Sequence, residues 1–246
     1  MKLDNSVSAV VTGGASGLGR ASAQALASAG VKVAIFDMNE EGGQAVAKEI
    51  GGTFHKVNIM DEAGAEAGFA AARAANGQER ILVHCAQVSK GGKTVAKDRE
   101  TGGFKRFSTE DFEFSALGIL VASYRMASMS ALGMASLEPL EDGERGCITL
   151  TASAAAQDAQ IGQVAYGSCK AGVNGLVLPI ARDLMDSGVR CNSIMPGIFA
   201  TPPMLAVKDR APQIFEGLAA SVPLATRNGL DPFYYVQRQA FFGGLG

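Results

Sequence analysis

The stretch VSAVVTGGASGLGRASAQALASAG, residues 7–30, decides the fold. VSAVVT (7–12) is a short apolar run, the pattern of a strand buried on both faces. GLGRASAQALASAG (17–30) reads as a helix stopped at Gly30. Between them, TGGASGLG (12–19) leaves the strand and opens the helix, which is the setting a phosphate cradle needs. Gly13 can turn sharply, and Gly17 and Gly19 let a pyrophosphate and the helix come close. Free N–H groups and the positive end of the helix dipole then face the anion. A purely structural glycine turn would look the same in isolation. The next strand, VKVAIFD (31–37), adds a second signal. It ends in Asp37, about 20 residues beyond the glycines, where a carboxylate accepts hydrogen bonds from adenosine ribose hydroxyls and repels an extra phosphate. Together the two features predict a dinucleotide site for NAD(H), preferred to NADP(H).

Outward from this unit the alternation continues. EEGGQAVAKEIGG (40–52) and DEAGAEAGFAAARAANG (61–77) read as helices, TFHKVN (53–58) and RILVHCA (80–86) as strands. CITLTAS (147–153) and VRCNSIMP (189–196) are further strands around a long helix at about 164–186. Strands alternating with helices imply right-handed crossovers and a parallel sheet covered on both faces, an α/β three-layer sandwich. No linker or internal repeat divides the chain, so one domain over 1–246 is expected. Residues 89–108 read as a polar surface loop with solvated basic residues. Residues 197–223, interrupted by prolines, read as a mobile lid over the substrate.

Composition narrows the function classes. Hydrophobic residues make up 47% and charged ones 19%, a globular profile rather than a disordered one. A net charge of −2 makes nucleic acid an unexpected partner. Cys85, Cys147, Cys169 and Cys191 form no C-x-x-C pair, which argues against a metal site and fits a reducing cytoplasm. No uninterrupted apolar run approaches the ~18 residues of a membrane span, and the N-terminus lacks the apolar run of a signal peptide.

AYGSCKAGVNGL (165–176) carries the chemistry. Tyr166 and Lys170, at i and i+4, share one face of a helix. A bare Y-x-x-x-K is common on solvated helices, but this one lies among small and apolar residues. Burying a lysine without a purpose costs several kcal/mol. A lysine cation beside a phenol, whose ordinary pKa is about 10, favours the phenolate and equips the tyrosine as a general acid or base. Ser153, at the end of its strand, can hold a substrate oxygen while charge develops on it.

TGGASGLG, Asp37, Ser153, the YGSCK box and the Pro196–Gly197 stretch with Thr201 together resemble the short-chain dehydrogenase/reductase family, over nearly the whole chain. Within it, TASAAAQDAQIGQVAY, LPIARDL and PGIFATP look most like the 3-hydroxyacyl-CoA dehydrogenase type-2 group. The resemblance implies a Rossmann-type doubly wound sheet of about seven parallel strands. It implies hydride transfer between nicotinamide and a secondary alcohol or ketone, such as a 3-hydroxyacyl-CoA, with Ser153, Tyr166 and Lys170 catalytic. The cofactor would lie against Gly13, Ser16, Gly17, Leu18, Gly19, Asp37, Asn58, Ile59, Cys85, Ala86, Gln87, Tyr166, Lys170, Pro196, Gly197, Ile198 and Thr201. It also implies a homotetramer or homodimer packed through the long helix.

Three departures stand against the family pattern. HCAQ (84–87) replaces N-x-A-G, so Gln87 puts a side chain where a glycine is expected; His84 reads as an ordinary strand-end histidine. The family's catalytic asparagine falls on Ile119, or in another register on Ser115. After DPFYYVQRQAFFGGLG (231–246) the expected seventh strand is not found, and Phe233, Tyr234, Tyr235, Phe241 and Phe242 are expected to cover the sheet edge in its place. These departures open a competing reading, a catalytically weak dinucleotide-binding or assembly protein.

Overall fold

Successive residues of a strand point to opposite faces, so an unbroken apolar run must be covered twice. Such runs form the centre of one parallel sheet, with less buried strands toward its edges: β1 (Ser8–Thr12), β2 (Lys32–Asp37), β3 (Thr53–Lys56), β4 (Ile81–His84), β7 (Gly146–Thr151) and β8 (Val189–Ile194). Their order is β3-β2-β1-β4-β7-β8. The computed structural model describes residues 1–199 and, beyond them, 201, 205, 208–210, 212, 213 and 216. On one face Val11, Ile35 and Val83 meet Ala23 and Leu26 of α1 (Gly17–Ser28) and Val46 of α2 (Glu40–Ile50). On the other, Val10, Leu82 and Leu150 meet Phe69 of α3 (Glu62–Asn76), Met126 of α5 (Ala122–Ala135) and Val173 of α6 (Val164–Asp183). This is the doubly wound three-layer fold the sequence implies. Strand order reverses between β1 and β4, and the crevice at the C-terminal ends of these strands is where such sheets place ligands.

Two elements depart from expectation. Residues 89–108 are not a plain loop: β5 (Val95–Lys97) and β6 (Phe104–Arg106) pair antiparallel around a turn in which Gly102 has φ +72°. This hairpin is a separate two-stranded sheet with little burial, so no apolar alternation announces it. The long helix ends at Asp183, tightening into a 3-10 turn at Met185–Ser187 before Gly188, at φ +62°, feeds β8. The expected aromatic cover at 233–242 and any seventh strand lie outside the described residues, as does part of the expected lid at 197–223. The continuous helical segment Thr109–Ala135 is long and apolar enough to span a membrane, yet 56% of its most apolar window is buried in the protein. It runs from α4 (Thr109–Ala116) through a π-helical turn at Leu117–Val121 into α5.

Candidate active site

The cradle follows from crowding around three glycines. Gly13 and Gly17 adopt φ of +69° and +54°, which suits glycine at each. A Cβ on Gly19 would stand 2.2 Å from the Gly13 carbonyl oxygen, and one on Gly13 would stand 2.8 Å from the Ala86 nitrogen. Strand, turn and helix therefore approach as closely as backbones can. Ser16 begins α1 without a side-chain cap, and the first turn carries no acidic residue. The N–H groups at this helix start are left for an external anion. Asp37 sits at the rim: its Oδ2 accepts from the Ala15 N–H at 3.1 Å and its Oδ1 from the Asn39 N–H at 2.9 Å. A pyrophosphate at the helix start and a ribose against Asp37 fit this surface.

The strand ends join the cradle to Ser153, Tyr166 and Lys170. Thr12 Oγ1 accepts from the N–H groups of Cys85 and Ala86, both at 3.1 Å, and contacts His84 Nδ1 at 2.8 Å. Thr151 Oγ1 donates to Cys85 Sγ at 3.4 Å. Burial pushes the Cys85 thiol above its ordinary pKa, so it is an uncharged lining residue.

Ser153 caps the short turn Ala154–Ala156, its Oγ accepting from the Ala155 N–H at 3.2 Å. The hydroxyl proton is left to donate to a substrate oxygen. That turn packs on α6 at Gly167, where a Cβ would come within 2.6 Å of Ala159 and 2.9 Å of the Ala155 carbonyl oxygen. The close approach at Gly167 sets its neighbour Tyr166 beside the Ser153 turn. One helical turn on, Lys170 is 3% exposed, its Nζ donating to the Thr151 carbonyl and lying 5.8 Å from the centre of the Tyr166 ring. Phenol and ammonium thus turn to the same side of α6, as the i, i+4 spacing requires. Burial draws the Lys170 pKa down to about 8, opposed in part by Cys85 and Cys169.

The remaining expected residues are distributed as follows. The Pro196 carbonyl accepts from the Ala154 N–H at 3.0 Å, which ties Pro196 to the Ser153 turn, with Gly197 and Ile198 following it in the chain. Thr201 donates its N–H to the Phe199 carbonyl at 2.7 Å. Leu18 is half-buried, and Asn58 is exposed with its Oδ1 accepting from the Met60 N–H. The Ile59 side chain is buried in the core. Gln87 is exposed, and no non-glycine residue among those described has a positive φ. The strand end therefore passes without the left-handed geometry that a glycine would allow. Ile119 is 1% exposed in the apolar core. The Ser115 hydroxyl is engaged by backbone, accepting from the Lys90 N–H at 3.0 Å and donating to the Asp111 carbonyl at 2.8 Å. Neither presents the carboxamide of an asparagine. Sequence reasoning missed the Thr12 hydroxyl and the Thr151 carbonyl; their position at strand ends beside the crevice was the available signal.

A parallel sheet in this order, with a glycine cradle at its switch point and a half-buried tyrosine paired with a buried lysine beside a strand-end serine, defines a nicotinamide-dinucleotide-dependent oxidoreductase. Residues 8–211 match the family model described as short chain dehydrogenase, and the chain belongs to that family. It is 38% identical over 242 residues to the 3-hydroxyacyl-CoA dehydrogenase type-2 of Drosophila melanogaster, covering 98% of this chain and 92% of that protein. It is 36% identical over 230 residues to the protein of the same name from Homo sapiens, covering 92% and 85%. The crystal structure of 3-hydroxyacyl-CoA dehydrogenase type-2 from Mycobacterium avium superposes with a TM-score of 0.79 at 35% identity, covering 91% of this chain and 84% of that one. Family and site together support an enzyme acting on a small alcohol or carbonyl compound; nothing in them supports the inert binding protein.

Proposed function

We propose that the chain is an NAD(H)-dependent dehydrogenase that interconverts 3-hydroxyacyl-CoA and 3-ketoacyl-CoA thioesters, working in the cytoplasm as a homodimer or homotetramer. The observation that carries the reaction is the buried Lys170 ammonium 5.8 Å from the Tyr166 ring. The acyl-CoA class rests on the names of the relatives and the coverage they share. The preference for NAD rests on Asp37, whose carboxylate at the cradle rim would repel a ribose 2′-phosphate.

The nicotinamide, when bound, supplies the hydride to the ketone carbon or takes it from the carbinol carbon. The protein handles the proton. Tyr166 donates its phenolic proton to the carbonyl oxygen in reduction and takes the hydroxyl proton in oxidation. The Lys170 charge stabilises the phenolate left behind, in a site where burial makes that attraction strong. Ser153 donates to the same substrate oxygen and fixes the face presented for transfer. Cys85, Ala86 and the Pro196–Gly197 stretch wall the crevice.

The test is nicotinamide absorbance with acetoacetyl-CoA against a panel of simple ketones, each with NADH and NADPH. Turnover of the thioester with NADH, lost in Tyr166→Phe while NADH still binds, is the expected result. Cofactor binding without turnover of any ketone or alcohol would overturn the reading, and tighter binding of NADPH would overturn the role of Asp37.

A further inference from the structure

His84 stands at the end of β4, 2% exposed, and its Nε2 has no hydrogen-bond partner among the described residues. A buried polar atom in that condition is destabilising unless something external satisfies it. The tautomer follows from the neighbours. Thr12 Oγ1 already accepts from two backbone N–H groups, so its own proton goes to His84 Nδ1, 2.8 Å away. Nδ1 is then the acceptor, and Nε2 carries the ring proton. The imidazole is neutral: burial, and secondarily the charge of Lys170, hold its pKa down to about 3.

The direction of Nε2 follows from the sheet. Nδ1 is held by β1, on one side of β4; β7, whose Thr151 carbonyl holds Lys170, lies on the other. The ring turns its second nitrogen away from the first. By strand alternation His84 shares the face of Leu82, which is the face covered by α6. An N–H donor and an ammonium donor thus converge from β4 and α6, and two donors cannot bond each other. One oxygen accepting from both resolves the conflict.

We propose that His84 is a positioning residue for Lys170, holding through its Nε2–H a buried water whose oxygen also accepts from the Lys170 ammonium. The chain Thr12–His84–water–Lys170 then fixes the amine from the strand that opens the phosphate cradle. The water steadies the charged amine, since accepting from the ammonium favours its protonated form. The other titratable groups that face Lys170 are the Tyr166 phenol on α6 and the thiols of Cys85, just after β4, and Cys169 on α6; no carboxylate among the described residues contributes to its shift. The reaction role rests on the proposed function, whereas the water and the tautomer do not.

The experiment has a structural and a kinetic arm. High-resolution crystals should show a water within hydrogen-bond distance of both His84 Nε2 and Lys170 Nζ, and nitrogen NMR of histidine-labelled protein should show the Nε2–H tautomer near neutral pH. An Nδ1–H tautomer, or an Nε2 bonded to a protein group, overturns the proposal whether or not any substrate is turned over. In the kinetic arm, His84→Leu should lower kcat about tenfold or more with KM little changed, the scale of a misplaced acid–base group. The alkaline limb of its pH profile should move down by about half a unit or more, because the ammonium loses an acceptor. His84→Gln, which places an amide N–H near the Nε2 position, should restore the limb. A folded His84→Leu enzyme with the wild-type profile overturns the role, and the tautomer measurement decides if that variant does not fold.

Discussion

Lys170 keeps its charge where burial opposes it, and that conflict sets two pH dependences. Its pKa of about 8 lies below its ordinary value of 10.5, so the ammonium is present below about pH 8 and lost above. With chemistry limiting, kcat for carbonyl reduction should therefore decline as pH rises through about 8, and Lys170→Met should show low activity with no such limb. A wild-type profile flat from pH 6 to 10 would falsify the assignment. Stability has its own sign. Between pH 8 and 10.5 the unfolded chain holds more protons at Lys170, so unfolding free energy rises with pH there. His84 acts in the same sense lower down: its folded pKa of about 3 lies below its ordinary 6.5, so its contribution is full above pH 6.5 and is lost as pH falls toward 3. Denaturant titrations at pH 7 and pH 4 should differ by a few kcal/mol from this group, because each tenfold change in proton affinity is worth about 1.4 kcal/mol. His84→Asn, which can still accept from Thr12, should reduce the difference. Tyr166 and Lys170 were legible because i, i+4 spacing in an apolar helix has few harmless explanations. His84 was not, because its meaning lies in which nitrogen Thr12 engages, a fact of three-dimensional contact.

At the scale of elements, the strand–turn–helix unit at 7–30 was legible in full because each of its glycines has a steric reason. The same reason makes it testable. In Gly19→Ala the new Cβ meets the Gly13 carbonyl, and only backbone movement relieves a 2.2 Å contact. Cofactor affinity should fall about tenfold or more, which corresponds to about 1.4 kcal/mol. NADH fluorescence titration checks it, with circular dichroism confirming that the fold persists; unchanged affinity would mean that the turn does not carry the pyrophosphate. The β5–β6 hairpin escaped the sequence reading for the opposite reason. Its strands are three residues long, mostly exposed, and held by backbone pairing and the Lys105–Asp98 ion pair at 3.6 Å, so they leave no hydrophobic period to read. The π-helical turn was equally silent. It is visible only in the backbone, where Gly118 meets the chain after β4 so tightly that a Cβ would lie 2.4 Å from the Val88 carbonyl oxygen.

For the molecule as a whole, strand order was predictable because right-handed crossovers leave a βαβ chain few choices, whereas assembly is written on surfaces that periodicity does not interpret. The helices lying over the Tyr166 side of the sheet expose large apolar side chains. Tyr124 and Leu132 on α5 are 55% and 78% exposed, and Leu178 on α6 is 55% exposed. Exposed apolar groups are ordinary when scattered, but large ones on two helices that cover the same sheet face suit a self-complementary interface. Sedimentation at micromolar concentration should therefore give a dimer or tetramer. The double variant Leu132→Glu, Leu178→Glu alters exposed positions, with Leu178 eight residues beyond Lys170 on α6, and it should shift the protein toward monomer without unfolding the sheet. If α6 forms the interface as well as carrying the proposed acid–base pair, activity should fall with dissociation and recover on raising protein concentration. A wild-type protein that sediments as a monomer while fully active would show that α6 is held by its own chain alone.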